Sequence, residues 1–408
     1  MEINNNLPLE GIKVLELATV VAAPTAGRML CAYGAEVIKV ESLMGDEMRR
    51  AGESEHVICE DYKNPLFTVH NSNKTLTSIN LKSPEGMEAF LRLLSTADVF
   101  LTNVRMASLA RMGLDYDTLA ARMPKLIYAH FSGYGPKGPA ANNPGFDSTA
   151  FWLRSGPIAD WQVPGSHPFT PTYAFGDMAT SSAFVSGILM ALLGKARTGK
   201  GTFVTTSLFA SGIWCNAVGV VSAQPQFGKV LNPDPLRPAD PLCNFYRCRD
   251  GVWIGVYDNE YKREREKFAK LYGIPELTDD PRYESLQALA ETDAVAECVQ
   301  KLNEIFATKT SAEWSEYLSA NNVACQTACE TRNIGEDPQA LENGYVEEVE
   351  FADGLKAILP CPPVKFSAYD RREYKSTGKV GEDTDKVFAS IGYSADEIAE
   401  MRKNGAIK

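Results

Sequence analysis

"GIKVLELATVVAAPTAGRMLCAYGAEVIKVES", residues 11–42, holds two short apolar runs with a helical pattern between them. The runs "IKVLEL" (12–17) and "EVIKVE" (36–41) are short and rich in β-branched residues, the signature of buried strands. Between them Pro24 suits the first turn of a helix reaching about Tyr33, because that turn leaves its N–H groups unpaired and proline has none to lose. A strand, a helix and a second strand over this length make a parallel crossover.

The same alternation continues. "TLTSINL" (75–81) precedes a helix opened by Ser83-Pro84 and running to about Thr96, and "DVFLTN" (98–103) is the next strand. A helical stretch near 105–122 leads to "KLIYAHFSG" (125–133). The fold class is therefore α/β, a doubly wound, mostly parallel sheet. No G-x-G-x-x-G follows any of these strands, so a nicotinamide cofactor is not indicated. Such sheets bind ligands at the carboxyl ends of their strands. Asn103 and Arg105 stand after one strand, and "GYGPK" (133–137), ending in Lys137, after another. Asn73, Lys74 and Arg111 would add donors and positive charge. Cations gathered in an acidic chain suit an anionic ligand with phosphates; a solvated charged rim would contain the same residues.

Further along, "FGDMATSSAFVSGILMALLGKARTGKG" (175–201) starts acidic and then runs apolar. Asp is a preferred helix cap, so a capping role for Asp177 competes with a chemical one. Phe184, Val185, Ile188, Leu189, Met190, Leu192 and Leu193 cover nearly every face, which predicts a helix surrounded by core. Lys195 and Arg197 suit its end and Gly199 its stop. Gly194, Gly199 and Lys200 spell most of a phosphate-binding P-loop, but Gly201 stands where the magnesium-binding hydroxyl belongs, and the segment leads out of a helix instead of into one.

Five prolines within 224–242 mark a stiff linker after a large domain, 1–223. A smaller α+β domain at 243–327 opens with two strands around Asp250-Gly251 and carries the capping box Thr310 to Glu313. Residues 328–408 return to the large domain, with strands "YVEEVEF" and "LKAILP" around Asp353-Gly354 and a last helix capped from Ser394 to Glu397.

At 408 residues the chain has room for two or three domains. Its net charge of −11 disfavours nucleic acid and anionic membrane as partners. No uninterrupted apolar run approaches the roughly 20 residues that span a bilayer, and "MEINNNLPLEG" has no secretory pattern, so a cytoplasmic location is expected. Nine scattered cysteines fit a reducing compartment. Cys243/Cys248 and Cys325/Cys329 lack zinc spacing, and His56, His70, His130 and His167 are far apart, so no metal site is expected.

Taken in order, "AAPTAGRMLCAYGAEVIKVES", "NSNKTLTSINLKSPEG", "ADVFLTNVR", "LARMGLDYDTL", "SGYGPKGP", "PGFDSTAF", "FGDMATS", "YRCRDGVWI" and "IGYSADEIAEMRKNGAI" resemble the class III CoA-transferases, the formyl-CoA and carnitine CoA-transferase family, over nearly the whole chain. Within it, "NPLFTVHNSNK", "TNVRMASLARMG" and "PGFDSTAFWLRSG" look most like the 2-hydroxyacyl-CoA and phenyllactate CoA-transferases of amino-acid fermentation. The resemblance implies a Rossmann-like large domain and an interlocked homodimer of ring-like chains. It implies no permanently bound cofactor, with CoA thioesters as substrates. It places the nucleophile on Asp177, CoA-holding groups on Asn103, Arg105 and Arg111, and backbone contacts to CoA on Val21 and Ala22. Asn73, Lys74 and Lys137 are further candidates.

The chain departs from the formyl-CoA branch in having Val21 for a glutamine and the proline-rich 232–241 in place of a glycine-rich flap, so formate and oxalate are not the expected substrates. Ser181 replaces a glycine common in the family. The 2-methylacyl-CoA racemases share the resemblance but need a proton-transferring His where this chain has Phe146, within Gly145-Phe146-Asp147. A non-catalytic acyl-CoA-binding protein would use Asp177 only as a cap. Phe151, Trp152, Trp161, Phe169 and Tyr173 could form aromatic walls for a branched or aryl acid and Arg154 could meet a carboxylate, although core packing accounts for each equally well. The expected acceptor is an (R)-2-hydroxy acid, ahead of bile-acid or carnitine-type acceptors.

Overall fold

The structure is a computed structural model that describes residues 6–169, 171, 174–229, 231, 234–257 and 260–408. The chain forms two compact units. The larger comprises Met1–Pro157, Thr170–Ser222 and Asp337–Lys408, and the smaller Ile158–Phe169 and Ala223–Glu336. The smaller unit thus takes residues 158–169, which the sequence reading gave to the large domain, and runs on to Glu336.

In the larger unit, β1 (Lys13–Leu17), β2 (Glu36–Glu41), β3 (Thr75–Ser78), β4 (Val99–Thr102), β5 (Ile127–Ser132) and β6 (Phe203–Ser207) form one sheet in the order 3-2-1-4-5-6. Every neighbouring pair is parallel. Val14 pairs with Val37 on one side and Val99 on the other, so β1 is buried on both edges. The order reverses between β1 and β4, which opens a crevice at the carboxyl ends of these strands.

The helices follow the expected signals. They are α1 (Ala22–Ala32), α2 (Pro65–Asn71), α3 (Pro84–Leu94), α4 (Met106–Arg111), α5 (Tyr116–Arg122), α6 (Phe175–Thr198), α7 (Leu208–Cys215) and α8 (Ala217–Ser222). Ser83 caps α3 by accepting from the Gly86 N–H, as Ser-Pro at a helix start predicts. One face of the sheet packs Leu15, Ile38 and Phe100 against Phe90 and Leu93 of α3 and against Phe388 and Met401 of the two C-terminal helices. The last residues close on β3, where Asn80 N–H donates to the Ala406 carbonyl.

Because strand side chains alternate faces, Glu16, Lys39 and Glu41 point to the other side, under α1. Glu16 and Lys39 are directly paired in register. There they form a buried ionic chain: Lys74 Nζ to Glu16 Oε2 at 2.7 Å, Glu16 Oε1 to Lys39 Nζ at 3.1 Å, and Lys39 Nζ to Asp46 Oδ2 at 2.9 Å. Arg49 adds a bidentate pair with Glu41 at 2.7 and 2.8 Å. Burial alone would lower Lys39, but Asp46, Glu16 and Glu41 together hold it above the usual lysine range. Gly27 is required here, since a Cβ on it would lie 1.9 Å from Glu16 Oε2. Lys74, a candidate ligand group in the sequence, is therefore consumed inside this chain, where it also donates to the Pro24 carbonyl and Asn71 Oδ1. Burial, only partly offset by Glu16, lowers it to about 8.

α6 departs from the expectation that core would surround it. Phe184, Val185, Ile188 and Ala191 are buried on the side facing α1, yet Met190 and Leu193 are 68% and 64% exposed. With 24 residues, α6 is also long and apolar enough, by length and composition alone, to cross a bilayer. Gly199, at φ 70°, ends it as expected.

The smaller unit contains an antiparallel sheet of β7 (Asn244–Arg247), β8 (Trp253–Tyr257) and β9 (Ala324–Thr327). Its core stacks Tyr246 on Phe306, with ring centroids 4.8 Å apart, beside Phe268 and Trp314. The hairpin of β10 (Val346–Glu350) and β11 (Lys356–Pro360) belongs to the larger unit.

Removing one charge from the buried chain leaves its partners uncompensated. Glu16→Gln is expected to lower the stability of the larger unit by about 3–5 kcal/mol in urea unfolding. Loss of under about 1 kcal/mol would mean that the charges are not buried as described.

Candidate active site

The crevice at the strand ends holds a cavity of about 110 Å³, enough for the reacting end of a substrate. Its walls are the loop 19–22 after β1, Asn103 after β4, residues 131–133 at the end of β5, residues 145–147, Asp177 and Leu208. Of the residues singled out in the sequence, Val21, Ala22, Asn103 and Asp177 meet here.

The loop is tightly held. Asn103 accepts from Thr19 N–H at 3.1 Å and donates to the Thr19 carbonyl at 2.8 Å, so its side chain is used to fix the loop. Val20 adopts φ 69°, a left-handed conformation unusual for a β-branched residue, and its N–H donates to Asp46 Oδ1 at 3.1 Å. Lys39 Nζ donates to the Ala18 carbonyl at 2.7 Å. The buried ionic chain thus supports the loop from beneath. Ser181 shares its hydroxyl between the carbonyls of Ala22 (2.6 Å) and Asp177 (2.7 Å), joining α6 to the start of α1.

Asp177 is not the cap of α6. The cap position is Ala174, left-handed at φ 54° and ψ 19°, and no side chain there accepts from the first turn. Asp177 is the third helical residue, and among the described residues nothing donates a hydrogen bond to its carboxylate. Burial, then the neighbouring charge of Asp147, raises its pKa to about 7. Asp147 opens a π-helical segment, Asp147–Leu153, and is itself pushed up, chiefly by burial. Gly176 fits between them because it has no side chain: a Cβ there would lie 2.3 Å from both Asp147 Oδ1 and Phe151 Cγ.

The other candidates are distributed as follows. Arg105 and Arg111, at the two ends of the α4 region after β4, are exposed at the same edge of the sheet, and Arg111 donates to Ser108 Oγ at 2.9 Å. Lys137 is exposed in the loop after β5. Among the described residues none of these three has an ion-pair partner. Asn73 and Lys74 precede β3 at the amino end of the sheet and do not line this cavity, although the Lys74 side chain reaches the ionic chain beneath it. Asn73 donates to the Glu373 carbonyl there. Phe151 and Trp152 are core residues, Trp161 and Phe169 belong to the smaller unit, and Tyr173 lies outside the described residues. Arg154 spreads over the rings of Tyr134 and Phe209, at 5.0 and 5.2 Å.

Sequence reasoning missed Asp147 as a member of the site. It appears in the sequence only as the end of Gly145-Phe146-Asp147, and no spacing links it to Asp177, thirty residues later. It also missed Thr19 and Val20. Phe146, 62% exposed, lines the cavity where proton transfer would call for a histidine. The arrangement is suited to covalent catalysis: an uncapped, poorly solvated carboxylate in a small cavity at a helix N-terminus.

A sequence model of the family described as CoA-transferase family III matches residues 9–384. The chain is 35% identical over 400 residues to an (R)-2-hydroxy-4-methylpentanoate CoA-transferase of Clostridioides difficile, covering 98% of this chain and 99% of that one. It is 33% identical over 405 residues to a cinnamoyl-CoA:phenyllactate CoA-transferase of Clostridium sporogenes, covering 99% and 98%. A CAIB/BAIF family protein from Brucella suis has a similar structure, with a TM-score of 0.77 and 28% identity over 95% of this chain and all of that one (100%).

Gly176→Ala forces its methyl into Asp147 and the Phe151 ring. It is expected to cost about 1–3 kcal/mol in thermal or urea unfolding and to disturb the pairing of the two acids. An unchanged melting curve would mean that the contact is looser than described.

Proposed function

The chain belongs to CoA-transferase family III, and we propose that it moves CoA from an acyl-CoA thioester to an (R)-2-hydroxy acid, with Asp177 as the nucleophile. The observation that carries the role of Asp177 is its position: an uncapped first-turn carboxylate lining the only cavity at the sheet's switch point among the described residues. Relatives named for acting on 2-hydroxy-4-methylpentanoate and phenyllactate, similar over almost their whole length, support the acceptor class.

In this mechanism an Asp177 oxygen attacks the thioester carbonyl, the C–S bond breaks, and CoA leaves as the thiolate, giving a mixed anhydride. The thiolate then attacks the Asp177 carbonyl and expels the donor acid as its carboxylate, leaving an aspartyl-CoA thioester. The acceptor carboxylate attacks that thioester, and the returning thiolate resolves the second anhydride into acyl-CoA and free Asp177. Each displacement is easier than direct exchange between two carboxylates. The loop 19–22 lies where backbone groups of Val21 and Ala22 would flank CoA, and Arg105, Arg111 and Lys137 supply unpaired positive charge for its phosphates. Exposed Phe146 offers an apolar surface to a branched or aryl side chain.

We also propose a homodimer working in the cytoplasm. Met190 and Leu193 of α6, Trp214 of α7 and Val218 of α8 are 68%, 64%, 80% and 78% exposed, an apolar expanse that a second copy would cover. Size exclusion with light scattering should give twice 44.7 kDa, and Trp214→Asp with Leu193→Glu should shift it toward one chain. A wild-type mass of one chain would remove the dimer.

Mass spectrometry of acyl-CoA donors with aliphatic and aryl 2-hydroxy acids, bile acids and betaines should detect exchange only with the 2-hydroxy acids. Asp177→Ala should lower it by about three orders of magnitude or more. Exchange with another acid class alone would overturn the acceptor, and an active Asp177→Ala would overturn the nucleophile. Since the reactive form is the carboxylate, kcat/KM should fall about tenfold per pH unit below about 7; a flat profile from pH 5 to 8 would contradict it.

A further inference from the structure

We propose that Asp147 is the positioning residue of this site: its carboxylate covers the first turn of α6 in place of a helix cap, leaving the Asp177 carboxylate uncapped and open to the cavity. This inference rests on Asp177 being the nucleophile.

A helix start exposes N–H groups that a side chain at the cap position normally meets. Ala174 has none to offer. Asp147 comes from another segment, and its Oδ1 is packed so closely on Gly176 that a Cβ would be 2.3 Å away. The backbone N–H groups of Gly176, Asp177 and Phe175, with the Trp152 indole, are the groups that favour its charge. Yet Oδ1 is buried with no hydrogen bond completed among the described residues. A carboxylate so placed takes the favourable field of the helix end without being fixed by it. Asp177, denied those N–H groups, faces the cavity that both acids line.

The second consequence is electrostatic. The remaining walls, 19–22, Asn103, 131–133 and Leu208, bring no titratable side chain. On the elements packed around the site, His70 of α2 bonds Thr25 Oγ1 through Nδ1 at 2.8 Å and is lowered by burial to about 3, hence neutral. His130 of β5, also lowered by burial, meets the Val104 carbonyl. Buried Arg28 of α1 lies over the Tyr374 ring at 4.3 Å, and exposed Arg154 over Tyr134 and Phe209. Lys195 and Arg197 are in the last turn of α6, at its far end. Among the described residues, Asp147 is the charged group whose field, after burial, raises Asp177. A like charge beside a carboxylate makes it more basic, and a more basic carboxylate is the better nucleophile once ionised. The attack itself needs no proton from Asp147: the Asp177 lone pair forms the new C–O bond and the C–S electron pair leaves with sulfur.

The test is a ¹³C NMR titration of aspartate carboxyls in the resting full-length protein, assigned by difference with Asp177→Asn, alongside pH–rate profiles. In Asp147→Asn the Asp177 midpoint should fall by about one pH unit or more. The acid limb of kcat/KM should move down by the same amount and plateau kcat drop about tenfold, with KM for acyl-CoA within about twofold. Asp147→Glu, which restores the charge, should bring the midpoint back toward the wild-type value. An Asp177 midpoint unmoved in Asp147→Asn, or a plateau kcat equal to wild type, would overturn the proposal. Should Asp147→Asn fail to fold by circular dichroism, Asp177→Asn provides the reciprocal measurement: the Asp147 midpoint must fall, and its constancy overturns the coupling. Since the titration needs no substrate, absence of CoA transfer by the wild type would refute the functional reading separately.

Discussion

The floor of the candidate active site is a row of buried charges. Glu16, Lys39, Asp46 and Lys74 neutralise one another under α1, and two of them reach up to the backbone of the first loop, at the Ala18 carbonyl and the Val20 N–H. Lys74 reaches the Pro24 carbonyl at the other end of the same turn. Burying so many ions is expensive unless each has partners in good geometry, and a hydrophobic replacement of the same volume would often serve stability as well. What an ionic floor gives that a hydrophobic one does not is direction. Fixed donors and acceptors hold Val20 in its left-handed conformation, and so fix which backbone groups of Val21 and Ala22 face the cavity.

On that floor, two helices bring their N-termini to one cavity. α1 begins at Ala22 without a side-chain cap, and α6 begins after Ala174 without one either. The amino ends of both helices point N–H groups toward the crevice, where they favour carboxylates and oxyanions formed from them. Ser181 binds the two helices together through the Ala22 carbonyl. Asp147 and Asp177 both line the cavity at the end of α6, and Asp147 Oδ1 lies against Gly176 in its first turn. Gly176 is the residue that lets them stand so close.

The crossover pattern of residues 11–133 was legible because each strand is short, apolar and separated from the next by a helix with its own start signal. The parallel sheet, Asp177, and the loop at 21–22 all follow from that regularity and from motif resemblance. That Asn73 and Lys74 do not line the cavity was not legible, because a cation and an amide beside a strand look alike in sequence whether they precede the strand or follow it. In a parallel sheet that difference puts them at opposite ends of the fold. The helix at 175–198 reads as surrounded by core because its apolar residues occupy every face, but within one chain the sheet and α1 cover only one side.

By itself, then, the sequence determined the order of elements and the fold class and singled out the carboxylate proposed as nucleophile, since periodicity and local motifs are properties of neighbouring residues. Only the tertiary structure decided that Asp177 is the third residue of its helix and not its cap, that Lys74 is part of the floor, and that Asp147 lines the same cavity as Asp177. The physical reason is that each of these depends on what lies across a gap between segments far apart in the chain. An ionic partner, a missing cap or a second carboxylate is set by packing, and local spacing holds no record of it.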